Sequence, residues 1–181
     1  MNMYKQKFTR LQNQIIRLLC VKVGAQLNQR EIAKILKVSP TAVAKSLHLL
    51  EEDKLIKLQK LGTMNLKLVE LNRDNVKSIF LKRTENLKMV YESGIVEFLY
   101  ESFPGGVIIL FGSYSKGEDT IKSDIDIAII GSKEKHLDLE EFERKLGRLI
   151  NLNFYDSINS IDKYLKSNIV NGIVLVGSIE L

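Results

Sequence analysis

The stretch GSYSKGEDTIKSDIDIAII, residues 112–130, decides the fold of the second half of the chain. It follows an apolar run at residues 107–111 that predicts a buried strand, and it opens on a glycine and a serine that suit a sharp turn. A second apolar run, residues 124–130, predicts another buried strand, interrupted by Asp124 and Asp126. Because strand side chains alternate between faces, the two aspartates are expected on the same face.

Two carboxylates on one face of a core strand repel each other unless a cation lies between them. Oxygen ligands of this kind suit Mg²⁺, with Mn²⁺ as the alternative. Gly112 allows a sharp turn, and the amides of Ser113 and the following residues, at the start of a helix, can bind an anion. A P-loop is disfavoured, because Glu118 and Asp119 stand where that motif requires Lys and Ser or Thr.

In order and spacing, these residues resemble the signature of the nucleotidyltransferase superfamily of DNA polymerase β in its minimal form. That signature is a Gly-Ser pair, a later Gly, and an Asp-x-Asp on the next strand. The matching residues are Gly112, Ser113, Gly117, Ser123, Asp124 and Asp126. The resemblance covers about residues 95–177. It implies that the Gly-Ser turn and its neighbours hold an NTP, that the two aspartates are catalytic Mg²⁺ ligands, and that a nucleoside monophosphate is transferred with loss of pyrophosphate.

The family also places a third carboxylate on a later strand, where it completes the metal site and helps to activate the attacking hydroxyl. Here the expected position falls on Asn151, within LINLNFYD at residues 149–156. An amide brings no charge and cannot accept a proton. Asp156 lies on the opposite face by strand alternation and could replace the acid only through a β-bulge. Whether this half of the chain is an enzyme therefore stays open.

The first half of the chain has the pattern of a helix-turn-helix. Apolar residues recur at three- and four-residue spacing between residues 8 and 23, which predicts a first helix. Asn28 is the expected N-cap of a second helix, residues 29–36. Ser39, followed by proline, is the expected N-cap of a third helix that runs to about Asp53.

Residues 55–60 and 64–69 alternate apolar and polar around residues 61–63, which predicts a hairpin behind the helices. Together these elements resemble the winged-helix regulators over residues 9–71. The resemblance implies that the third helix enters the major groove of DNA and that the hairpin, or wing, follows the backbone. The matching positions are Ser39, Thr41, Ala42 and Lys45 on the third helix and Lys57, Lys60 and Lys67 on the wing. Other winged helices bind proteins or form dimers, and that alternative stays open.

Charge is distributed unevenly along the chain. Residues 1–75 hold 14 Lys and Arg against 6 Asp and Glu, whereas residues 104–181 hold 9 against 12. The basic first part favours an anionic partner such as double-stranded DNA. A solvated, lysine-rich surface would account for the same charge.

Composition and apolar runs restrict the class of protein. The chain is 45% hydrophobic and 27% charged, which is typical of a globular protein. The longest apolar runs are about five residues, far short of the roughly 18 needed to cross a bilayer. We find no secretory signal in the first residues, and Cys20 is the only cysteine. We therefore expect a cytoplasmic protein without a membrane partner.

We predict a two-domain α+β or α/β protein: a winged helix-turn-helix DNA-binding domain at residues 1–71, a helical linker at 72–101, and a minimal nucleotidyltransferase-like domain with a mixed β-sheet and flanking helices at 102–181. The combination resembles microbial, particularly archaeal, regulators that fuse these two modules. The expected function is a DNA-binding transcriptional regulator that binds NTP with Mg²⁺ and has weak or no transfer activity. The alternative is an active minimal nucleotidyltransferase that modifies a protein or small molecule, as the antitoxin partner of a helical toxin. An apolar stripe along the linker is also compatible with a homodimer.

Overall fold

The computed structural model of the protein describes residues 7–60 and 67–179. The chain divides into two compact units, Met1–Lys82 and Arg83–Leu181. Helix α4, Val76–Ser93, contains the division. The domain boundaries expected from the sequence, after residues 71 and 101, stay predictions.

The first unit combines three helices with a small antiparallel sheet, which confirms the winged helix-turn-helix fold. The helices are α1 (Arg10–Val21), α2 (Gln29–Leu36) and α3 (Pro40–Glu52), and the strands are β1 (Leu27–Asn28), β2 (Ile56–Lys60) and β3 (Lys67–Leu71). The strand order is β1-β3-β2. The apolar helix faces bury a common core that includes Ile15, Ile32, Val43, Leu50 and Val69, each 0% exposed.

Side-chain caps determine where α2 and α3 begin. The Asn28 side-chain oxygen accepts hydrogen bonds from the amides of Arg30 and Glu31, at 2.9 and 3.1 Å. The Glu31 carboxylate in turn accepts from the Asn28 amide at 2.7 Å and completes a capping box. Ser39 Oγ accepts from the Ala42 amide at 3.2 Å. Both predicted helix starts are thereby confirmed.

The wing differs from its prediction in the position of the second strand. Strand β3 pairs with β2 from Ile56 opposite Leu71 to Lys60 opposite Lys67, so it begins later than the expected residue 64. The predicted turn at residues 61–63 lies outside the described residues. Strand β1 was not predicted, because two residues are too short to show a period; its register is set by pairing with β3.

The second unit is built on a four-stranded mixed sheet with flanking helices, as predicted. Its elements after α4 are α5 (Ile95–Ser102), β4 (Val107–Phe111), α6 (Gly112–Lys116), β5 (Ile125–Ile130), α7 (Glu140–Leu146), β6 (Ile150–Tyr155), a 3-10 turn (Ile158–Ser160), α8 (Lys163–Val170) and β7 (Ile173–Val176). The strand order is β6-β5-β4-β7. Only the β5–β6 pair is parallel among these described strands. The central strands β4 and β5 are almost wholly buried, which places the core around them.

Within residues 7–60 and 67–179, none of the helices combines the length and the apolar character that crossing a bilayer would require.

Candidate nucleotide and metal site

The strand registers bring the candidate site residues to one end of the second unit's sheet. Parallel pairing of β5 with β6 sets Asp126 opposite Asn151. Antiparallel pairing of β4 with β5 sets Phe111 opposite Asp126. Gly112 directly follows Phe111, so the Gly-Ser turn, the Asp-x-Asp and Asn151 lie at the same end of the three adjacent strands β4, β5 and β6.

One amide spans the two candidate metal ligands. Asn151 Nδ2 donates to Asp124 Oδ2 at 3.2 Å and to Asp126 Oδ1 at 3.4 Å. Asp124 and Asn151 are exposed and Asp126 is half-buried, so the cluster opens to solvent. Asn151 thus stands beside both aspartates, where the family resemblance calls for an acid.

The backbone at Gly112 approaches the aspartate pair closely. Its φ is +73°, and a Cβ built there would lie 2.6 Å from Asp126 Oδ2. A side chain at this position would therefore displace the carboxylate, and the positive φ would strain any other residue. The Gly112 carbonyl also accepts from Ser115 Oγ at 2.9 Å, which ties the first turn of α6 together.

Two further predicted nucleotide-binding residues shape the backbone around the site. Gly117 ends α6 in the left-handed region, with φ of +76°. In the turn that it forms, the Glu118 amide donates to the Ser113 carbonyl at 2.9 Å. Ser123 Oγ accepts from the Thr120 amide at 3.0 Å and closes the loop that leads into Asp124. Ser113 itself is half-buried.

The alternative acid, Asp156, is excluded by the strand register. Strand β6 pairs with β5 without interruption up to Tyr155 opposite Ile130. Asp156 follows that end of β6, about 16 Å from Asn151 at about 3.3 Å per residue. There it lines a separate cleft of about 490 Å³ together with Gly105 and Ser157. The idea that a bulge could bring Asp156 to the aspartate pair is therefore wrong.

The chemistry of the cluster fits a hard divalent cation. The two carboxylates supply charged oxygen ligands, and a half-turn of the Asn151 amide would offer its carbonyl oxygen as a third. Among the described residues, no group of three His, Cys, Asp or Glu side chains is placed to hold a metal ion. Asp124, Asp126 and Asn151 could hold Mg²⁺ or Mn²⁺, with the remaining positions filled by water or phosphate.

A buried polar cluster close to the site in sequence was not found by sequence reasoning. Asp119, 1% exposed, accepts a hydrogen bond from Asn86 and forms an ion pair with Arg148. Glu143 accepts from the amide of Ile150 at 2.9 Å and so holds the start of β6. In the sequence, Asp119 was informative only because it stands where a P-loop requires Ser or Thr. Its burial has no local signature, because its partners come from distant segments.

The first unit presents part of the predicted reading surface on α3. Thr41 and Lys45 are exposed on this helix, and Ala42 is half-buried. The hydroxyl of Ser39 accepts the capping hydrogen bond from the Ala42 amide, which leaves its O–H donor and one lone pair for other partners. Two predicted base-reading side chains, Thr41 and Lys45, therefore face solvent.

On the wing, Lys57 is engaged by an acid. Its ammonium group donates to the Asp74 carboxylate in a partly exposed ion pair. This hydrogen bond raises the pKa of Lys57 and lowers the pKa of Asp74. Lys67 is exposed, and the side chain of Lys60 lies outside the described part of the wing. A phosphate that binds Lys57 must therefore compete with Asp74.

Residues 93–180 match the family model described as "Polymerase beta, Nucleotidyltransferase". The second unit contains a nucleotidyltransferase-family domain. The matched region includes the aspartate pair at the start of β5 and Asn151 on β6. No curated protein sequence matches the chain.

Several solved structures are similar to the chain over a little more than half of its length. One is ZitR of Lactococcus lactis, described as a zinc-responsive MarR family member, with 25% identity, a TM-score of 0.41, and coverage of 58% of this chain and 69% of that chain. A second is the adhesin competence repressor AdcR of Streptococcus pyogenes, with 21% identity, a TM-score of 0.42, and coverage of 55% and 70%. A third is MepR of S. aureus in a complex with DNA, with 22% identity, a TM-score of 0.39, and coverage of 52% and 77%.

Proposed function

We propose that this protein is a DNA-binding transcriptional regulator whose nucleotidyltransferase domain binds an NTP with Mg²⁺ and transfers the nucleotide weakly or not at all. The observation that carries the proposal is the contact of one neutral side chain, Asn151, with both candidate metal ligands, Asp124 and Asp126. When bound, the cation would neutralise phosphate charge and orient the triphosphate.

The replacement of an acid by an amide affects transfer more than binding. The aspartate pair still supplies two negative charges, and a divalent cation held by these carboxylates would in turn bind the triphosphate. In contrast, Asn151 cannot take the proton of an attacking hydroxyl. General base catalysis is typically worth about 10²–10⁴-fold in rate, so a domain without a base binds nucleotide and reacts slowly.

The binding half of the proposal can be tested by calorimetric titration of ATP, CTP, GTP and UTP, each with and without Mg²⁺. We expect at least one NTP to bind the wild-type protein in a Mg²⁺-dependent manner. Asp124→Asn and Asp126→Asn should each abolish that binding. Asp156→Asn is the matched control, because it makes the same change at the opposite end of β6 and should bind as the wild type does. Unchanged binding in both site variants would place the nucleotide elsewhere.

The weak-transfer half of the proposal can be tested at Asn151. Asn151→Asp restores both a negative charge and a proton acceptor, so we expect nucleotide transfer to a panel of hydroxyl acceptors to rise by about 10²–10⁴-fold. Nucleotide affinity should change less. The measurement is transfer of label from α-³²P-NTP. Robust transfer by the wild type that Asn151→Asp does not alter would instead support an active nucleotidyltransferase.

DNA binding by the first unit is supported by the exposure of Thr41 and Lys45 on α3 and by the basic charge of residues 1–75. In this proposal α3 reads base edges in the major groove, and Lys57, Lys60 and Lys67 contact the backbone.

A further inference from the structure

A large apolar side chain stands beside the aspartate pair on the same face of the sheet. The parallel register that pairs Ile125 with Ile150 is extended by one residue, because the Ile125 amide donates to the Leu149 carbonyl at 2.9 Å. Leu149 is therefore the neighbour of Asp124, and by strand alternation its side chain shares the face that carries Asp124 and Asn151. The Leu149 side chain is nevertheless open to solvent, since the residue is 62% exposed.

A second aliphatic side chain lines the cleft that Leu149 borders. This cleft, of about 370 Å³, includes Leu149, Ile121 and Asp124 in its lining, and Ile121 is 41% exposed. Two hydrogen bonds between Thr120 and Ser123, each 3.0 Å long, close the turn that contains Ile121. Hydrogen-bonded backbone therefore holds both aliphatic residues beside a candidate metal ligand.

The cleft also has charged residues in its lining. Lys122 is exposed, whereas the Arg148 side chain is only 6% exposed and forms an ion pair with Asp119. Glu143 Oε1 accepts a hydrogen bond from the Ile150 amide at 2.9 Å. The cleft therefore combines an aliphatic surface with both signs of charge, and two of its charged side chains already have partners within the protein.

This lining suits the ring of a nucleobase. Small-molecule sites are lined mostly by apolar side chains, with a few polar groups that fix orientation. A nucleobase has apolar faces that gain from leaving water and polar edges that stay hydrated in an open cleft. A phosphate group gains nothing from contact with an aliphatic side chain. The aliphatic part of the cleft therefore favours the base of an NTP over its triphosphate.

The strand order gives a bound nucleotide a direction. The Gly-Ser turn follows β4, the aspartates belong to β5, and Leu149 directly precedes β6, in the order β6-β5-β4. The family resemblance implies that the triphosphate lies at the Gly-Ser turn. The nucleoside then extends over the aspartate pair towards β6. Two strand spacings, about 10 Å together, lie within the length of an extended NTP.

We propose that Leu149 and Ile121 hold the nucleobase of the NTP. Their side chains pack against the base, while the aspartate pair holds the cation that binds the triphosphate. The inference rests on the proposed function, since it assumes that an NTP binds at the aspartate pair with Mg²⁺. It adds the residues that distinguish a nucleotide from a bare polyphosphate.

The test compares two kinds of probe by calorimetry of the full-length protein with Mg²⁺: the four NTPs and inorganic tripolyphosphate. Leu149→Ala and Ile121→Ala each remove apolar contact with the base, so each should weaken the tightest NTP by about three- to tenfold. Tripolyphosphate has no base, and its affinity should stay within about twofold of the wild type. Both residues are exposed, so the variants should keep the melting temperature of the wild type.

Two control variants accompany the alanine substitutions. Leu149→Met keeps an apolar side chain beside Asp124 and should bind NTP as the wild type does. Tyr164→Ala removes an apolar side chain that is 84% exposed on α8 and does not line the cleft, and it should also leave NTP binding unchanged.

Unchanged NTP affinity in both alanine variants would overturn the inference, and so would an equal loss for NTP and tripolyphosphate, which would indicate an effect on the cation instead of the base. Asp126→Asn separates this inference from the proposed function. If Asp126→Asn abolishes NTP binding and the two alanine variants do not weaken it, only the role of Leu149 and Ile121 is overturned. If no NTP binds the wild type in a Mg²⁺-dependent manner, both are overturned.

Discussion

At residue scale, Gly112 shows how one position joins backbone geometry to the chemistry of the site. Its φ of +73° lies in the left-handed region, and its missing side chain leaves room for Asp126 Oδ2, which a Cβ would approach to 2.6 Å. Gly131, at the end of β5, has a similar φ of +81° but meets nothing within 4 Å. Substitution of either glycine would strain the backbone, but only a side chain at Gly112 would also contact the Asp126 carboxylate.

We predict that Gly112→Ala and Gly131→Ala each lower the free energy of unfolding by about 1–2 kcal/mol, because alanine is strained in the left-handed region. Only Gly112→Ala should also weaken Mg²⁺-dependent nucleotide binding, because its methyl group would displace the Asp126 carboxylate. Chemical denaturation and calorimetry measure the two effects. Equal nucleotide affinity in both variants would show that the close approach is not needed for binding.

At the scale of elements, the wing carries a cation that already has a partner. Lys57 on β2 is paired with Asp74, which precedes α4. The pair is exposed, so it contributes little to stability. Its main consequence concerns DNA, because Asp74 offsets the charge that Lys57 would offer to a phosphate.

Asp74→Asn is therefore expected to tighten binding to all DNA sequences and to steepen the dependence of log K on log salt concentration by up to about one unit, since one more cation can then displace counterions. Fluorescence anisotropy at several salt concentrations measures both effects. Asp162→Asn makes the same change in net charge in the second unit and keeps a capping side chain, so it serves as the matched control. An equal gain in both variants would indicate a general charge effect.

Helix α3 and the wing should respond differently to substitution. Lys57→Ala combined with Lys60→Ala should weaken binding to all sequences and flatten the salt dependence, because these residues are proposed to contact phosphates. Thr41→Ala or Lys45→Ala should instead change the preference among sequences. Selection from a random duplex pool with each variant tests the distinction. A wild-type protein that selects no sequence, or binds independently of salt, would contradict the DNA-binding proposal.

At the scale of the whole molecule, a regulator requires that its two ligands affect each other. If nucleotide binding changes the affinity for DNA by some factor, DNA must change the affinity for nucleotide by the same factor. We expect a coupling of roughly 5–150-fold, the range typical of allosteric proteins. DNA titrations with and without saturating NTP and Mg²⁺, together with the reciprocal titrations, measure it. Asp126→Asn should bind DNA but lose the effect of nucleotide; equal DNA affinity with and without NTP in the wild type would exclude regulation by nucleotide.

The amino-acid sequence by itself determined the features that depend on neighbouring residues. The caps at Asn28 and Ser39 set the starts of α2 and α3, because each cap bonds to amides two or three residues away. The glycines and apolar runs of residues 107–130 predicted two buried strands around a turn, and the alternation of strand side chains placed Asp124 and Asp126 on one face. Local hydrogen bonding and strand periodicity suffice for such predictions.

Tertiary structure alone decided what depends on distant segments. The parallel register of β5 and β6 set Asn151 beside the aspartates and excluded Asp156. Packing within the second unit buried Asp119 against Arg148. In the first unit, pairing with β2 and β1 set the bounds of β3. These partners are far apart in the sequence, and only the packing of the folded chain determines which of them meet.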